Sequence, residues 1–285
     1  MMKRVVFLTV AVCFAMFSFA QDAAEKINQA NEALVAKDYA KAFSLYEDAM
    51  SNTEGVEIPP AINFNIGLAG YNSNNFEKAI GYFDKAIAAD VNIDKAHEYK
   101  GHCYNKLKDY ANALNSFEAA ISASDGDTKS LVYNAAIAAY RANDADKAVK
   151  WFTKSVENGY NGATAQFYKA AVLKKQNKDD EYKAALEAGA EMFPGDSKIC
   201  PALANVYVSE GNDLYKKGAA ILSAANEKVN SGALKTDDAA YTAEVDKAKV
   251  EFKAAVEVLE KAKAMDASNA NAQKLIDACN AILNS

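Results

Sequence analysis

Histidine is nearly missing from this chain: 285 residues hold two, His97 and His102. At i, i+5 they do not share a helical face, so they offer no paired metal ligand. Also absent are H-E-x-x-H, G-x-x-x-x-G-K-[ST], G-x-G-x-x-G and G-x-S-x-G. Each of those spacings would bring a metal, a phosphate or a nucleophile into working geometry. Without them neither catalysis nor a bound cofactor or metal is expected. Cysteine is sparse. Of four, Cys13 lies in an apolar N-terminal run, leaving Cys103, Cys200 and Cys279. An odd set of three is no disulfide framework. Cys103 reads as a small buried thiol, and a Cys200–Cys279 bridge stays open. Cations are in deficit, with 32 Lys and Arg against 38 Asp and Glu, for a net charge of −6. That balance argues against nucleic acid and anionic membrane surfaces, which reward clustered Lys and Arg. The acids alternate with lysines, as in Glu77, Lys78, Asp84 and Lys85, and read as solvated helix faces.

The N-terminus begins with the basic pair Lys3-Arg4 and continues as an apolar run from Val5 to Phe19. Ser18-Phe19-Ala20 then presents small residues at −3 and −1. This pattern predicts a secretory signal peptide over 1–20, cut after Ala20, since the run is short for a membrane span. Val12, where a lipoprotein signal needs a small residue before its cysteine, argues against lipidation at Cys13. The expected product is exported, periplasmic or outer-membrane-associated, with no membrane span. It has 265 residues (285 minus 20) and, having lost Lys3 and Arg4, a net charge of −8.

The stretch from Pro60 to Asp127 says the same thing twice, 34 residues apart. Gly67 answers to Gly101, Phe76 to Tyr110, Ala79 to Ala113, Phe83 to Phe117 and Ala86 to Ala120. In each copy the second half carries apolar positions spaced 3, 4 and 3, one stripe of a helix with small alanines between aromatics. The first half carries the glycine. A helical glycine costs about 1 kcal/mol against alanine, so close packing on the second helix is its expected reason. Polar, turn-prone segments join the halves. A two-helix unit recurring at this period predicts a solenoid.

The pattern resembles the tetratricopeptide repeat: a small residue at position 8, an aromatic at 17, Ala at 20, an aromatic at 24 and Ala at 27, counted from Pro60 and from Asp94. The resemblance implies an all-α fold, a right-handed array of helix-turn-helix repeats over 21–210. Copies fall at 23–56, 60–93, 94–127, 129–162, 163–196 and, degenerate, 197–230. Ser51 to Pro59 is a longer linker, and the second helix of the sixth copy runs from about Leu214. Beyond 210 the character changes. Tyr241, Val245, Ala248, Phe252, Ala255, Leu259 and Ala262 alternate spacings of 4 and 3, predicting one helix about 40 Å long with a coiled-coil-like seam. A final amphipathic helix covers Ala270 to Leu283. Region 211–285 is expected either to form a long-helix cap over the open end or, through 212–265, to be a partner or homodimer surface.

In this family the first helix of each hairpin lines a concave groove. Carried over, those positions are Asn28 and Asn31; Phe64, Asn65, Tyr71 and Asn72; Lys95, Tyr99 and His102; Tyr133, Asn134, Tyr140 and Arg141; and Phe167, Tyr168 and Lys174. Primary amides match peptide groups in donors and acceptors, and tyrosines supply contact area. The set is similar to the asparagine ladder of the O-linked N-acetylglucosamine transferase repeats, with Tyr99 and Tyr168 interrupting it. Asn31, Asn65 and Lys95 also match the carboxylate clamp of chaperone-binding repeats, but Ile27 and Tyr99 stand where it requires cations. The resemblance implies a protein-interaction scaffold of the cell envelope, holding an extended peptide or a partner helix. The alternatives are a glycan-binding outer-membrane component or a homodimeric spacer. Against glycan binding, the one tryptophan, Trp151, falls at position 23, beside the core stripe.

Overall fold

The computed structural model describes residues 22–51 and 58–285. The expected leader, 1–20, and most of the 51–59 linker lie outside the described residues. Among the described residues all regular structure is helical, in two compact units divided between Tyr160 and Asn161. No described helix is long and apolar enough to cross a membrane.

The first unit is four hairpins in sequence: α1 (22–35) with α2 (Tyr39–Met50), α3 (Ile62–Asn72) with α4 (Phe76–Ala88), α5 (Ile93–Lys106) with α6 (Tyr110–Ala123), and α7 (Lys129–Arg141) with α8 (Ala145–Glu157). The turns inside them obey one rule. Their middle residues, Lys37, Asn74, Lys108 and Asn143, all have φ between 58° and 65°. The next residue starts the second helix. Asp38, Asp109 and Asp144 accept from the backbone N–H groups of Lys41, Asn112 and Lys147 at 3.1–3.2 Å. Such caps are worth about 1 kcal/mol each. Consecutive helices then pack through the 3, 4, 3 stripes: Ala79, Phe83 and Ala86, and Ala113, Phe117 and Ala120, are fully buried.

The glycines have the expected reason. A β-carbon on Gly67 would lie 2.6 Å from Phe83, and one on Gly101 2.7 Å from Phe117. The two helices of a hairpin approach so closely that the aromatic at position 24 occupies the space of the missing side chain at position 8.

The second unit opens with one more hairpin, α9 (Gly162–Lys175) and α10 (Asp179–Met192), turning at Asn177 with φ 57°. The sixth copy then departs from expectation. No turn separates its halves: α11 runs unbroken over 32 residues, Ile199–Asn230. The position that turns in every other hairpin is here Gly211, and tertiary packing holds it helical. A β-carbon on Gly211 would lie 2.5 Å from Leu259, and one on Gly218 3.0 Å from Phe252. Those partners belong to α12 (Ala239–Met265), which returns along α11, its Ala248, Phe252, Ala255, Leu259 and Ala262 all buried. The coiled-coil-like seam is therefore consumed within the chain. α13 (Ala270–Leu283) closes this core with Ala272, Ile276 and Cys279. Cys103, Cys200 and Cys279 are buried free thiols, so the Cys200–Cys279 bridge is not made. Burial pushes the Cys103 thiol up to about 12, which keeps it protonated and inert.

Candidate partner-binding groove

The first helices of the second and third hairpins bring one aromatic cluster together. Tyr99, half-buried on α5, stacks on Phe83 at 5.7 Å and 14°. Phe64 and Tyr71 from α3 meet its ring at 6.2 and 5.4 Å, and His102 lies 6.3 Å away, one turn further along α5. His102 in turn sets its edge on Phe117 at 5.2 Å. The expected residues Phe64, Tyr71, Tyr99 and His102 thus form a single half-exposed surface laid over the core rings Phe83 and Phe117.

Charge borders this surface. Lys95 Nζ donates to Glu98 Oε2 at 2.8 Å, and His102 Nε2 lies 3.9 Å from Glu98 Oε1. The His102 ring and the Lys95 ammonium, outweighing burial, hold the Glu98 carboxyl down to about 2. At 3.9 Å the histidine acts through its field more than through a formed hydrogen bond. Glu98 was not among the expected lining residues. Its signal was nonetheless in the sequence, because it occupies position 5 of its copy, three residues after Lys95 and four before His102.

The asparagines divide by what they already hold. Tyr46 is fully buried and donates its hydroxyl to Asn31 Oδ1 at 2.5 Å. Asn65 reaches the same hydroxyl, and burial pushes the phenol up to about 12 despite it. Two rungs of the expected ladder are therefore committed to a core tyrosine. Asn72 Nδ2 bonds its own helix at Leu68 O, 2.8 Å away. Asn28 stays exposed and Asn134 half-buried on the groove side. The three carboxylate-clamp matches are engaged likewise, Asn31 and Asn65 by Tyr46 and Lys95 by Glu98, while Ile27 packs into the apolar core. No clamp is assembled.

Further along the first unit, Tyr133 and Tyr140 both place edges on Phe152, at 6.5 and 6.4 Å, and the Arg141 guanidinium lies 5.6 Å over Tyr110. In the second unit Phe167 and Tyr168 meet at 5.9 Å, and Lys174 pairs with Asp179 at 2.6 Å.

A different constellation had gone unread. Glu47 accepts from the Tyr82 hydroxyl at 2.6 Å and pairs with Lys78. Glu118 accepts from Trp151 Nε1 at 2.9 Å and from Lys147 at 2.8 Å. These residues occupy the same repeat positions: 25 in one hairpin, 19 and 23 in the next. The carboxylate staples neighbouring second helices. Burial alone would raise the Glu47 carboxyl, but Lys78 and Tyr82 outweigh it and hold it below the usual range. Trp151 is 7% exposed and spends its N–H here, which is a packing role.

The hairpin geometry has counterparts among known proteins. The profile of the tetratricopeptide repeat matches residues 27–92, 64–128 and 100–163. Stress-induced-phosphoprotein 1 of Caenorhabditis elegans is 28% identical over 159 residues, 54% of this chain and 45% of that protein. The chain therefore spans less than half the length of this relative. The C-terminal part of a TPR repeat-containing protein from Cytophaga hutchinsonii aligns with 88% of this chain and 99% of its own, at a TM-score of 0.50 and 14% identity. A tetratricopeptide repeat protein from Parabacteroides merdae aligns over 91% and 99%, at a TM-score of 0.47 and 18% identity. With the glycine–aromatic hairpins and their 34-residue echo, the matched segments place this chain in the tetratricopeptide repeat family.

Proposed function

We propose that this protein is a non-enzymatic scaffold of the bacterial cell envelope, binding an extended peptide or a partner helix across the first helices of the four hairpins of the first unit. Tetratricopeptide repeat proteins bind protein partners, which sets the class. The observation that carries the finer reading is the half-exposed cluster of Phe64, Tyr71, Tyr99 and His102, bordered by Lys95 and Glu98. Rings held rigid by the core offer contact area at little entropic cost. The adjacent charges select and orient a partner. Asn134 and Asn28 are the amides left to meet its backbone, since Asn31 and Asn65 serve Tyr46. Export rests on Lys3-Arg4, the apolar run and Ser18-Phe19-Ala20.

The test is crosslinking and pull-down from the envelope fraction with wild type, Lys95→Glu and Asn134→Ala. Both substitutions fall on groove side chains outside the core, so folding is retained. Partners captured by wild type should be lost or strongly depleted in both variants. An unchanged set of partners would remove the groove reading. Recovery of the uncleaved chain from the cytoplasm alone would remove the envelope assignment.

A further inference from the structure

α13 is shorter than the helix pair it lies on. α12 has 27 residues, about 40 Å of helix, and α13 has 14, about 21 Å. α13 starts beside the end of α12 and runs back along it, so the far end of the α11–α12 pair is left uncovered. A cavity of about 340 Å³ opens where α13 ends. Ile282, in the last turn of α13, closes one side of it. Leu222 and Asn226 of α11 form a second side, four residues apart on one face of the helix. Tyr241, Val245 and Lys249 of α12, also spaced by fours, form the third. Leu222, Val245 and Ile282 are only half-buried, because no further turn of α13 reaches them.

The polar groups left open in this cavity are donors. The Tyr241 hydroxyl donates to Asn226 Oδ1 at 2.9 Å, which occupies the acceptor of the amide and leaves its N–H groups without a partner among the described residues. The Ser285 hydroxyl, also in the lining, is spent on Ile282 O at 2.8 Å. Lys249 is half-buried and, among the described residues, has neither an ion pair nor a hydrogen bond. More exposed lysines nearby do have partners: Lys217 meets Glu251 at 2.6 Å and Lys247 meets Glu244 at 2.9 Å, each lysine side chain being 64% exposed. No aspartate or glutamate lines the cavity, although acids outnumber cations 38 to 32 in the chain. A partly buried cation without a counterion favours an anion beside it.

We propose that this cavity is a binding site for a small amphiphilic acid, an apolar chain ending in a carboxylate. The carboxylate meets the Lys249 ammonium and the Asn226 amide, both donors, and a charge-assisted hydrogen bond is stronger than a neutral one. The chain lies against Leu222, Val245 and Ile282. The cavity has the volume of roughly ten waters, enough for a chain of about eight carbons. A crevice between bundle helices, with apolar walls and a few convergent polar groups, is the usual form of a small-molecule site. A polypeptide would present alternating N–H and C=O groups, and the one amide here has its acceptor already taken. The site lies wholly in the second unit and does not depend on the aromatic groove or on the function proposed for it.

The experiment titrates the full chain with octanoate, butanoate and octylamine by isothermal titration calorimetry. Octanoate should bind one to one, butanoate about a hundredfold more weakly for its four missing methylenes, and octylamine, with the same chain and the opposite charge, at least as weakly as butanoate. Lys249→Gln should weaken octanoate about tenfold or more, and Lys249→Arg, which keeps the cation, should restore it. Lys274→Gln, on α13 outside this cavity, should change nothing. Nuclear Overhauser contacts from the octanoate chain to the methyl groups of Leu222, Val245 and Ile282 locate it, and thermal melts by circular dichroism confirm that the variants stay folded. Equal affinity for octanoate and octylamine, no loss in Lys249→Gln, or no saturable binding at millimolar octanoate would overturn the proposal. So would a hexapeptide ending in leucine that binds more tightly than octanoate and is lost in Lys249→Gln, which would make the cavity a reader of polypeptide ends.

Discussion

Gly67 faces the ring of Phe83 with no room for a side chain: a β-carbon there would lie 2.6 Å from Phe83 Cε1. Phe83 is fully buried and its rigid ring has nowhere to move. Gly67→Ala should therefore destabilise the first unit by about 1–3 kcal/mol through overpacking, against the roughly 1 kcal/mol that helix propensity would add. Gly81 is the control. It is exposed on α4 and a β-carbon there meets nothing within 4 Å, so Gly81→Ala should raise stability. Urea unfolding of both variants decides the matter; equal midpoints would show that the Gly67–Phe83 approach is not restrictive.

The Glu118 staple makes a prediction of another kind. Glu118→Gln keeps an acceptor for Trp151 Nε1 and loses only the ion pair to Lys147, whose side chain is 40% exposed. That loss should be about 0–1 kcal/mol. Glu118→Ala leaves the indole N–H unpaired in a residue that is 7% exposed, and should cost about 1–3 kcal/mol. Trp151 is the one tryptophan, so its emission reports the change directly. An Ala variant with wild-type emission and urea midpoint would mean that the carboxylate holds nothing.

How much of this was legible beforehand depends on period. The hairpins, the glycine contacts and the α12 stripe follow from apolar spacing, and spacing is visible in a single sequence. The staple was hidden because its residues sit 29 and 33 apart and look like ordinary surface charges until two second helices lie side by side. The asparagine ladder misled for a related reason. Asn31 and Asn65 stand at groove positions, but copy 1 has tyrosine where copies 2, 3 and 4 have phenylalanine at position 24. A buried hydroxyl requires an acceptor, and Asn31 Oδ1 supplies it while the Asn65 amide donates to the same oxygen. The straight course of α11 was not legible either, since Gly211-Asn212 is good turn chemistry that only Leu259 overrides.

Glu98 links the groove to pH. With its carboxyl held at about 2 rather than the ordinary value near 4.3, the charged form is favoured in the folded state. Its contribution is fully present above about pH 4.3 and is lost as pH falls through the folded value near 2. Glu98→Gln should flatten this limb of the urea midpoint measured from pH 6 to pH 2, while leaving the limb owed to Glu47 in place. A carboxyl carbon titrating near 4.3 in the folded protein, followed by NMR, would contradict the Lys95 and His102 assignment.

The last prediction concerns the turn that α11 does not make. In the fourth hairpin the N–H groups of Ala142, Asn143 and Asp144 still turn back to Ala138, Tyr140 and Ala139, but a new helix starts at Asp144, so the first N–H groups of α8 have no backbone acceptor and only Lys147 meets the Asp144 side chain. At the equivalent place in α11, Gly211 and Asn212 remain helical because Leu259 fills the space above the glycine. Native-state hydrogen exchange should therefore show protection running unbroken from about residue 205 to 220, in contrast to a gap at the first amides of α8, Ala145 and Asp146. Gly211→Ala tests the cause. A β-carbon 2.5 Å from Leu259 should force α12 outward, and protection should fall on both helices together even though alanine favours helix by about 1 kcal/mol. If protection instead rose, local propensity and not the Leu259 contact would be holding α11 straight. Loosening the seam also exposes Phe252 and Leu259, so the same variant should associate at micromolar concentration in light scattering while the wild type, its seam satisfied within one chain, does not.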